Sequence, residues 1–124
     1  IQLARGDWRL AEVGAARAAD ALARLGHHAH EADAWRVVAV ARLRSGDALT
    51  AQPPVDRAVA LVRDAEDRLI LAECLLARAQ VLQALGLVGE AERDAREAAA
   101  LFEALGAADP LAEARALLRE LEGA

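Results

Sequence analysis

Four residue types are missing from this chain of 124 residues, and three others are scarce. There is no Tyr, Met, Lys or Asn, and there are one Cys, one Phe and two Trp. Without Asn the chain has no N-glycosylation acceptor, and the single thiol, Cys74, cannot form an internal disulfide. A run of 18 apolar residues that could span a membrane is also missing. These absences predict a cytoplasmic protein that binds no membrane.

Positive charge is limited to Arg side chains, apart from what three His carry, and the formal net charge is −5. A nucleic-acid surface normally presents a basic patch that releases counterions on contact. Here Arg and Glu are interleaved along the chain, as they are on solvated helix faces. We therefore expect this segment to bind no nucleic acid.

About a quarter of the residues are Ala, and the sequence repeats with a period of 40. Aligning Gly6, Gly46 and Gly86 places apolar residues at five later positions, spaced by three and four residues as on one helix face. The aligned sets are Ala11, Ala51 and Ala91; Ala15, Val55 and Ala95; Ala18, Ala58 and Ala98; Leu22, Val62 and Phe102; and Leu25, Ala65 and Leu105. Three helices thus carry one apolar stripe.

A second kind of helix lies between these, with Ala34, Cys74 and Ala114 at a shared small position. Gly after each helix permits the left-handed conformation that ends helices. The pattern predicts an all-α chain of about six helices over 8–25, 28–45, 50–65, 68–85, 88–105 and 109–122. Proline is tolerated only in the first turn of a helix, so we expect the third helix to begin at Pro53 or Pro54, after an extended stretch that includes Thr50. On that expectation the early match of Ala51 is coincidental, and Ser45 and Thr50 cap helices.

The positions Trp35, Ala39, Gly46, Ala51 and Ala58, repeated as Leu75, Ala79, Gly86, Ala91 and Ala98, resemble the bulky, small and turn positions of tetratricopeptide repeats. The resemblance covers essentially the whole chain and implies an antiparallel helix-pair solenoid. The period is 40 rather than the family's 34, and such long units resemble the repeat regions of bacterial maltose-regulator and LuxR-type regulators and of antibiotic regulatory proteins.

The repeat divides one domain, residues 1–124, into a partial first unit (1–26), two full units (27–66 and 67–106) and a carboxyl-terminal capping helix (107–124). The cap is predicted because Arg115, Arg119 and Glu122 occupy the positions of Leu75, Ala79 and Leu82 in the third unit, the first two of which are Trp35 and Ala39 in the second. Since residues 1–5 match 41–45, we expect the chain to be the carboxyl-terminal part of a longer array. Its uncovered first helix predicts a homodimer.

Few residues have the chemistry of a catalytic or metal site. His27, His28 and His30 form the only cluster of metal-ligating type, but they replace a turn, and no further ligand group completes a zinc tetrahedron. Cys74 matches small inward positions and is expected to be a buried, unreactive thiol. We therefore predict no enzyme activity, no catalytic residue, no metal and no cofactor, and we expect Trp35 to pack in the core.

The resemblance implies that the first helix of each pair lines a concave groove. This groove would present Asp33, Arg36, Val37, Val40, Arg44, Glu73, Leu76, Gln80, Gln83, Glu113, Leu117 and Glu120. Mixed charge beside apolar residues suits a protein segment or peptide laid in the groove. A solvated wall without a ligand is the alternative for these residues. The function expected is a protein or peptide interaction module of a regulatory protein, and its alternative is a ligand-sensing region of a bacterial transcription regulator.

Overall fold

The computed structural model describes the backbone of residues 5–123 and the side chains of residues 8–123. In that part of the chain there are six helices and no strand. The helices are α1 (Arg5–Leu25), α2 (His28–Arg44), α3 (Ala48–Arg63), α4 (Arg68–Ala84), α5 (Val88–Leu105) and α6 (Ala108–Glu122). None of them has both the length and the apolar character that crossing a bilayer requires.

Four glycines end helices where the sequence pattern indicated. Gly26, Gly46, Gly86 and Gly106 all have positive φ, between 70° and 87°. A Cβ is disfavoured in this left-handed region, so Gly lets the chain turn sharply after each helix. The connection from α3 to α4, which has no Gly, is longer and ends at Asp67, whose side chain accepts a hydrogen bond from the Ile70 N–H.

The alignment of Gly6 with Gly46 and Gly86 predicts a break between two helices at Gly6, and this prediction is wrong because α1 already includes the residue. At Gly46 and Gly86 a left-handed residue ends a preceding helix. Gly6 lies instead in the first turn of α1 and is helical. The structure describes no helix before α1 that would have to end at this residue. The match of residues 1–5 with 41–45 falls mainly on residues 1–4, which lie outside the described part of the chain.

The predicted start of α3 is also wrong. The helix begins at Ala48, Asp47 is its N-cap, and Thr50 is helical and donates its N–H to the Asp47 side chain. Both Pro53 and Pro54 therefore lie inside α3. Ala51 is fully buried, so its match to the repeat is not coincidental. Ser45 was expected to cap a helix, and it is the C-cap of α2. Its Oγ donates a hydrogen bond to the Ala41 carbonyl.

Arg42 supplies one of the two hydrogen bonds that the prolines remove from α3. Pro54 has no N–H, so it cannot donate to the carbonyl of Thr50 one turn earlier. That carbonyl instead accepts a hydrogen bond from Arg42 Nη1 at 2.8 Å. Arg42 Nε also donates to Glu12 Oε1 at 2.6 Å. One side chain of α2 thus joins α1 to the weakened turn of α3.

Each helix packs against the next in the chain, and α2 also contacts α4, which in turn contacts α6. Pairs of contacting side chains show whether neighbouring helices are parallel or antiparallel. Glu31 near the start of α2 meets Arg57 in the second half of α3, and Arg42 near the end of α2 meets Thr50 near the start of α3, so these two helices are antiparallel. Gln80 meets Glu113 and Gln83 meets Glu120, so α4 and α6 are parallel. The even-numbered helices therefore form a common layer.

The repeated apolar stripe is buried in α3 and α5. Its first four members on each helix, including Val55, Val62, Ala98 and Phe102, are fully inaccessible to solvent, whereas the last positions, Ala65 and Leu105, are half-buried and exposed, respectively. In α1 the equivalent positions are only half-buried or exposed, and Ala19 is the one buried hydrophobic residue described on that helix. The core therefore lies in α2 to α6, and α4, which contributes nine buried residues, passes through its centre.

Candidate functional site

The groove residues expected from the sequence lie on the shared layer of α2, α4 and α6. Ten of the twelve surround two neighbouring cavities of ≈ 380 and ≈ 280 Å³. Arg44, Gln80 and Glu113 belong to both cavities, so the two are continuous along the layer. The remaining two, Asp33 and Val37, are half-buried on α2 outside these linings. We call the surface formed by the ten residues the groove; they are Arg36, Val40, Arg44, Glu73, Leu76, Gln80, Gln83, Glu113, Leu117 and Glu120.

At one end of the groove, charge pairs connect α2 to α4. Arg36 Nε donates to Asp33 Oδ1 at 3.0 Å, and its Nη2 lies 3.7 Å from Glu73 Oε2. Partial burial is the largest influence on Glu73 and raises the pKa of its carboxyl group. The negative charges of Asp33 and Asp67 raise this pKa further, whereas Arg36 lowers it. The carboxyl group of Glu73 therefore takes up a proton more easily than an ordinary Glu carboxyl group does.

At the other end, two amide side chains connect α4 to α6. Gln80 Nε2 donates to Glu113 Oε1 and Gln83 Nε2 donates to Glu120 Oε2, each at 3.2 Å. These residues are spaced by one helical turn on α4 and by two on α6. Each carboxylate retains a second oxygen with no bond to Gln, so the α6 wall can accept hydrogen bonds from a ligand.

Charge is distributed unevenly across the groove. Arg44, on the α2 wall, is exposed and forms no ion pair among the described residues. On the α6 wall, Glu113 and Glu120 carry negative charge without a cationic partner. Between the walls, Leu76 and Leu117 are nearly buried and give the groove an apolar floor. The arrangement can bind a segment that has an apolar side chain and charges of opposite sign on its two flanks.

The residues with catalytic chemistry do not come together. Cys74 is fully buried, and burial raises the pKa of its thiol to about 12. Its Sγ lies 4.0 Å from the Ala32 carbonyl oxygen. The thiolate, which is the nucleophilic form, is therefore scarce at neutral pH. His27, His28 and His30 are exposed at the start of α2. In the described residues no group of three or more His, Cys, Asp or Glu side chains could hold a metal ion.

Sequence reasoning missed two buried carboxylates. Glu31, 2 % exposed, accepts a hydrogen bond from Trp35 Nε1 at 3.0 Å, and Arg57 Nη2 lies 3.4 Å away. The Arg57 guanidinium also lies over the half-buried Trp35 ring, 5.3 Å from its centroid, so Trp35 serves both the core and a polar cluster. Arg57 of α3 thus contacts both Glu31 and Trp35 of α2, and these contacts help to set how the two helices face each other.

The second missed carboxylate, Asp94 on α5, is 6 % exposed and receives two hydrogen bonds from Arg78 of α4, at 2.7 and 3.1 Å. The repeat alignment carries a signal for this pair once the burial of the matched positions is known. In the repeat alignment Asp94 matches Pro54 and Arg78 matches Val38, and both matched residues are buried. Opposite charges at inward positions of two facing helices predict a buried ion pair.

No family model matches the chain, and neither the curated proteins nor the solved structures contain a match to it.

Proposed function

We propose that this chain is a non-enzymatic interaction module whose groove binds a peptide or a helix of another protein. In this proposal the helix pairs form a tetratricopeptide-like solenoid within a bacterial regulatory protein. One observation supports the proposal: ten of the groove residues that the resemblance implies line two adjoining cavities along α2, α4 and α6. Such a continuous surface on rigid helices suits an extended ligand better than a small one.

The chemistry of the groove defines the ligand further. The free guanidinium of Arg44 favours a carboxylate on one flank of the ligand, and Glu113 and Glu120 favour a base on the other. Leu76 and Leu117 suit an apolar side chain between these charges. The ligand proposed is therefore a short amphipathic segment with one acidic and one basic flank.

A displayed library of random peptides, selected against the whole chain, tests this proposal. We expect enriched peptides to combine an apolar centre with opposite charges on its two sides. Their affinity should fall at least about tenfold in the Arg44→Glu variant, because a favourable charge contact becomes repulsive. Arg93→Glu makes the same charge change at an exposed position of α5 and serves as the control. Selected peptides that bind both variants equally would contradict the proposed groove.

A sensor of a small ligand is the second candidate, and the size of the larger cavity favours it. A volume of ≈ 380 Å³ lies within the range of about 300–1,000 Å³ that is usual for small-molecule pockets. Thermal unfolding in the presence of a metabolite panel tests it. If one compound raises the Tm by several degrees, and Arg44→Glu abolishes the effect, the sensor function is favoured over peptide binding.

A further inference from the structure

One face of α1 is apolar and uncovered. Leu10 and Leu25 are 72 % and 69 % exposed, and Gly14, Ala18 and Ala21 between them are also exposed. These five residues recur at intervals of three and four, so they form one continuous stripe along the helix. The small residues at its centre would allow another helix to approach closely; a Cβ at Gly14 would meet no atom within 4 Å.

The structure shows what covers the centre of this face in its two other copies. Ala58 of α3 and Ala98 of α5, which match Ala18, are fully buried. Pro54 and Asp94, which match Gly14, are buried as well. The helices that precede them, α2 and α4, pack on α3 and α5. The occupant that fits the face of α1 is therefore a helix of the same kind as α2 or α4.

Arg17 shows which of these two helices fits better. It matches Arg57 in the repeat, and Arg57 pairs with Glu31 and lies over the Trp35 ring. The equivalent residue of α5 is an acid, Glu97. Arg17 itself is exposed and makes no ion pair among the described residues. Its free guanidinium is placed to receive a carboxylate as Arg57 does, so the occupant should resemble α2.

Two occupants from another copy of the chain fit poorly. The α2 and α4 helices of another copy already cover its own α3 and α5. Its α6 helix has Arg115, Arg119 and Glu122 at the positions where α2 and α4 face their partners, and all three are exposed. Setting these charges against the Ala stripe would remove them from water, and of the three only Arg115 has an ion-pair partner, Glu103, among the described residues. A helix of a different protein does not carry this penalty.

We propose that the exposed face of α1 is a docking site for one amphipathic helix of a partner protein, which lies antiparallel to α1. The partner helix places a carboxylate on Arg17 and a bulky apolar residue, four positions later, against the Ala stripe, as Glu31 and Trp35 do on α3. This site is separate from the groove, and it stands or falls independently of peptide binding there.

A fluorescent peptide with the sequence of α2, residues 28–44, tests the site when it is held helical by a cross-link between positions 33 and 37. Fluorescence anisotropy with the whole chain should show saturable binding. Ala18→Glu should weaken binding at least about tenfold, because it places a charge in the apolar contact. Ala60→Glu adds the same charge at an exposed position of α3 and should leave binding unchanged.

A charge exchange tests the contact with Arg17. A peptide carrying Glu31→Lys should bind the chain more weakly, and Arg17→Glu should restore its affinity. Equal binding by the Ala18→Glu variant, or no saturable binding at all, would overturn the docking site. If the Glu31→Lys peptide binds more weakly and Arg17→Glu does not restore its affinity, the proposed contact with Arg17 is overturned. A dimer in sedimentation that Ala18→Glu dissociates would assign the face to a second copy and overturn the proposal.

Discussion

At the scale of single residues, Arg42 replaces a hydrogen bond that the backbone cannot make. Its guanidinium supplies a donor to the Thr50 carbonyl, which Pro54 leaves without one. Sequence patterns do not foresee this contact, because it joins different helices and depends on the position of an Arg side chain. The expected start of α3 at the prolines therefore followed a sound local rule, which a contact between helices overrode.

A double-mutant cycle should show that Arg42 and Pro54 are coupled. Arg42→Ala leaves the Thr50 carbonyl without its donor in the original chain, whereas Pro54→Ala supplies an N–H within α3. We expect the loss of Arg42 to cost about 0.5–1.5 kcal/mol less in the Pro54→Ala background, measured by urea unfolding.

Glu12 provides the control for this cycle. It accepts a hydrogen bond from Arg42 but does not contact the Thr50 carbonyl. Glu12→Ala and Pro54→Ala should therefore have additive effects on the free energy of unfolding. Strong coupling in this second pair would mean that Pro54 acts through the packing of α1 rather than through the carbonyl.

Two carboxylates should give opposite dependences of stability on pH. Hydrogen bonds from Arg63 lower the pKa of Glu97 in the folded chain. As pH falls, the Glu97 carboxylate is therefore protonated in the unfolded chain first. The stability that Glu97 contributes is lost as pH falls below the ordinary pKa of 4.5. Burial raises the pKa of Glu73, so stability falls as pH rises above 4.5 and through the raised value. Unfolding by urea from pH 3 to 7 should show Glu73→Gln gaining stability relative to the original chain as pH rises, and Glu97→Gln losing it. Parallel curves would contradict these shifts.

At the scale of helices, periodicity and Gly were sufficient for most boundaries. The predicted starts of the five helices other than α3 lie within three residues of the observed ones. The start of α3 was predicted too late only because Pro53 and Pro54 were assigned to its first turn. Local signals succeed here because left-handed Gly residues end helices through backbone sterics, which need no tertiary partner. The buried ion pair of Arg78 with Asp94 needed a comparison between facing helices, which a scan along one helix does not make.

Two glycines at neighbouring positions should respond to alanine in opposite ways. Gly86 has a φ of 79°, which a Cβ disfavours, whereas Gly89 lies in the first turn of α5 with open space around it. We expect Gly86→Ala to lower the free energy of unfolding by about 1 kcal/mol. Gly89→Ala should raise it by about 0.5–1 kcal/mol, because Ala loses less backbone entropy in a helix. Thermal unfolding of both variants checks the signs, and a gain from Gly86→Ala would contradict the role of that turn.

At the scale of the whole molecule, burial is graded from α1 towards α4. The stripe of α1 is half-buried or exposed, while the first four of its five counterparts on α3 and on α5 are inaccessible to solvent. The repeat alignment predicted equivalent positions but could not predict equal burial, because burial depends on which helices are neighbours. A helix with few buried contacts opens at a lower free energy than the rest of the fold.

Hydrogen exchange should follow this gradient. Amides of α1 should exchange first and those of α4 last, and α5 serves as an internal control because it shares the stripe of α1 but is covered. Mass spectrometry of peptic fragments would measure the order. Equal protection of α1 and α5 would contradict a stability that depends on the covering helix.

The charges on the outer face of α6 also affect how many copies can join. An apolar α6 could rest on the α1 helix of the next copy, and that contact would be heterologous, so each added copy would expose a new α1 and the chain would grow into a fibre. Exposed Arg115, Arg119 and Glu122 prevent this contact. If α1 receives a partner helix as proposed, these charges on α6 disfavour the same contact between copies and so disfavour growth into a fibre.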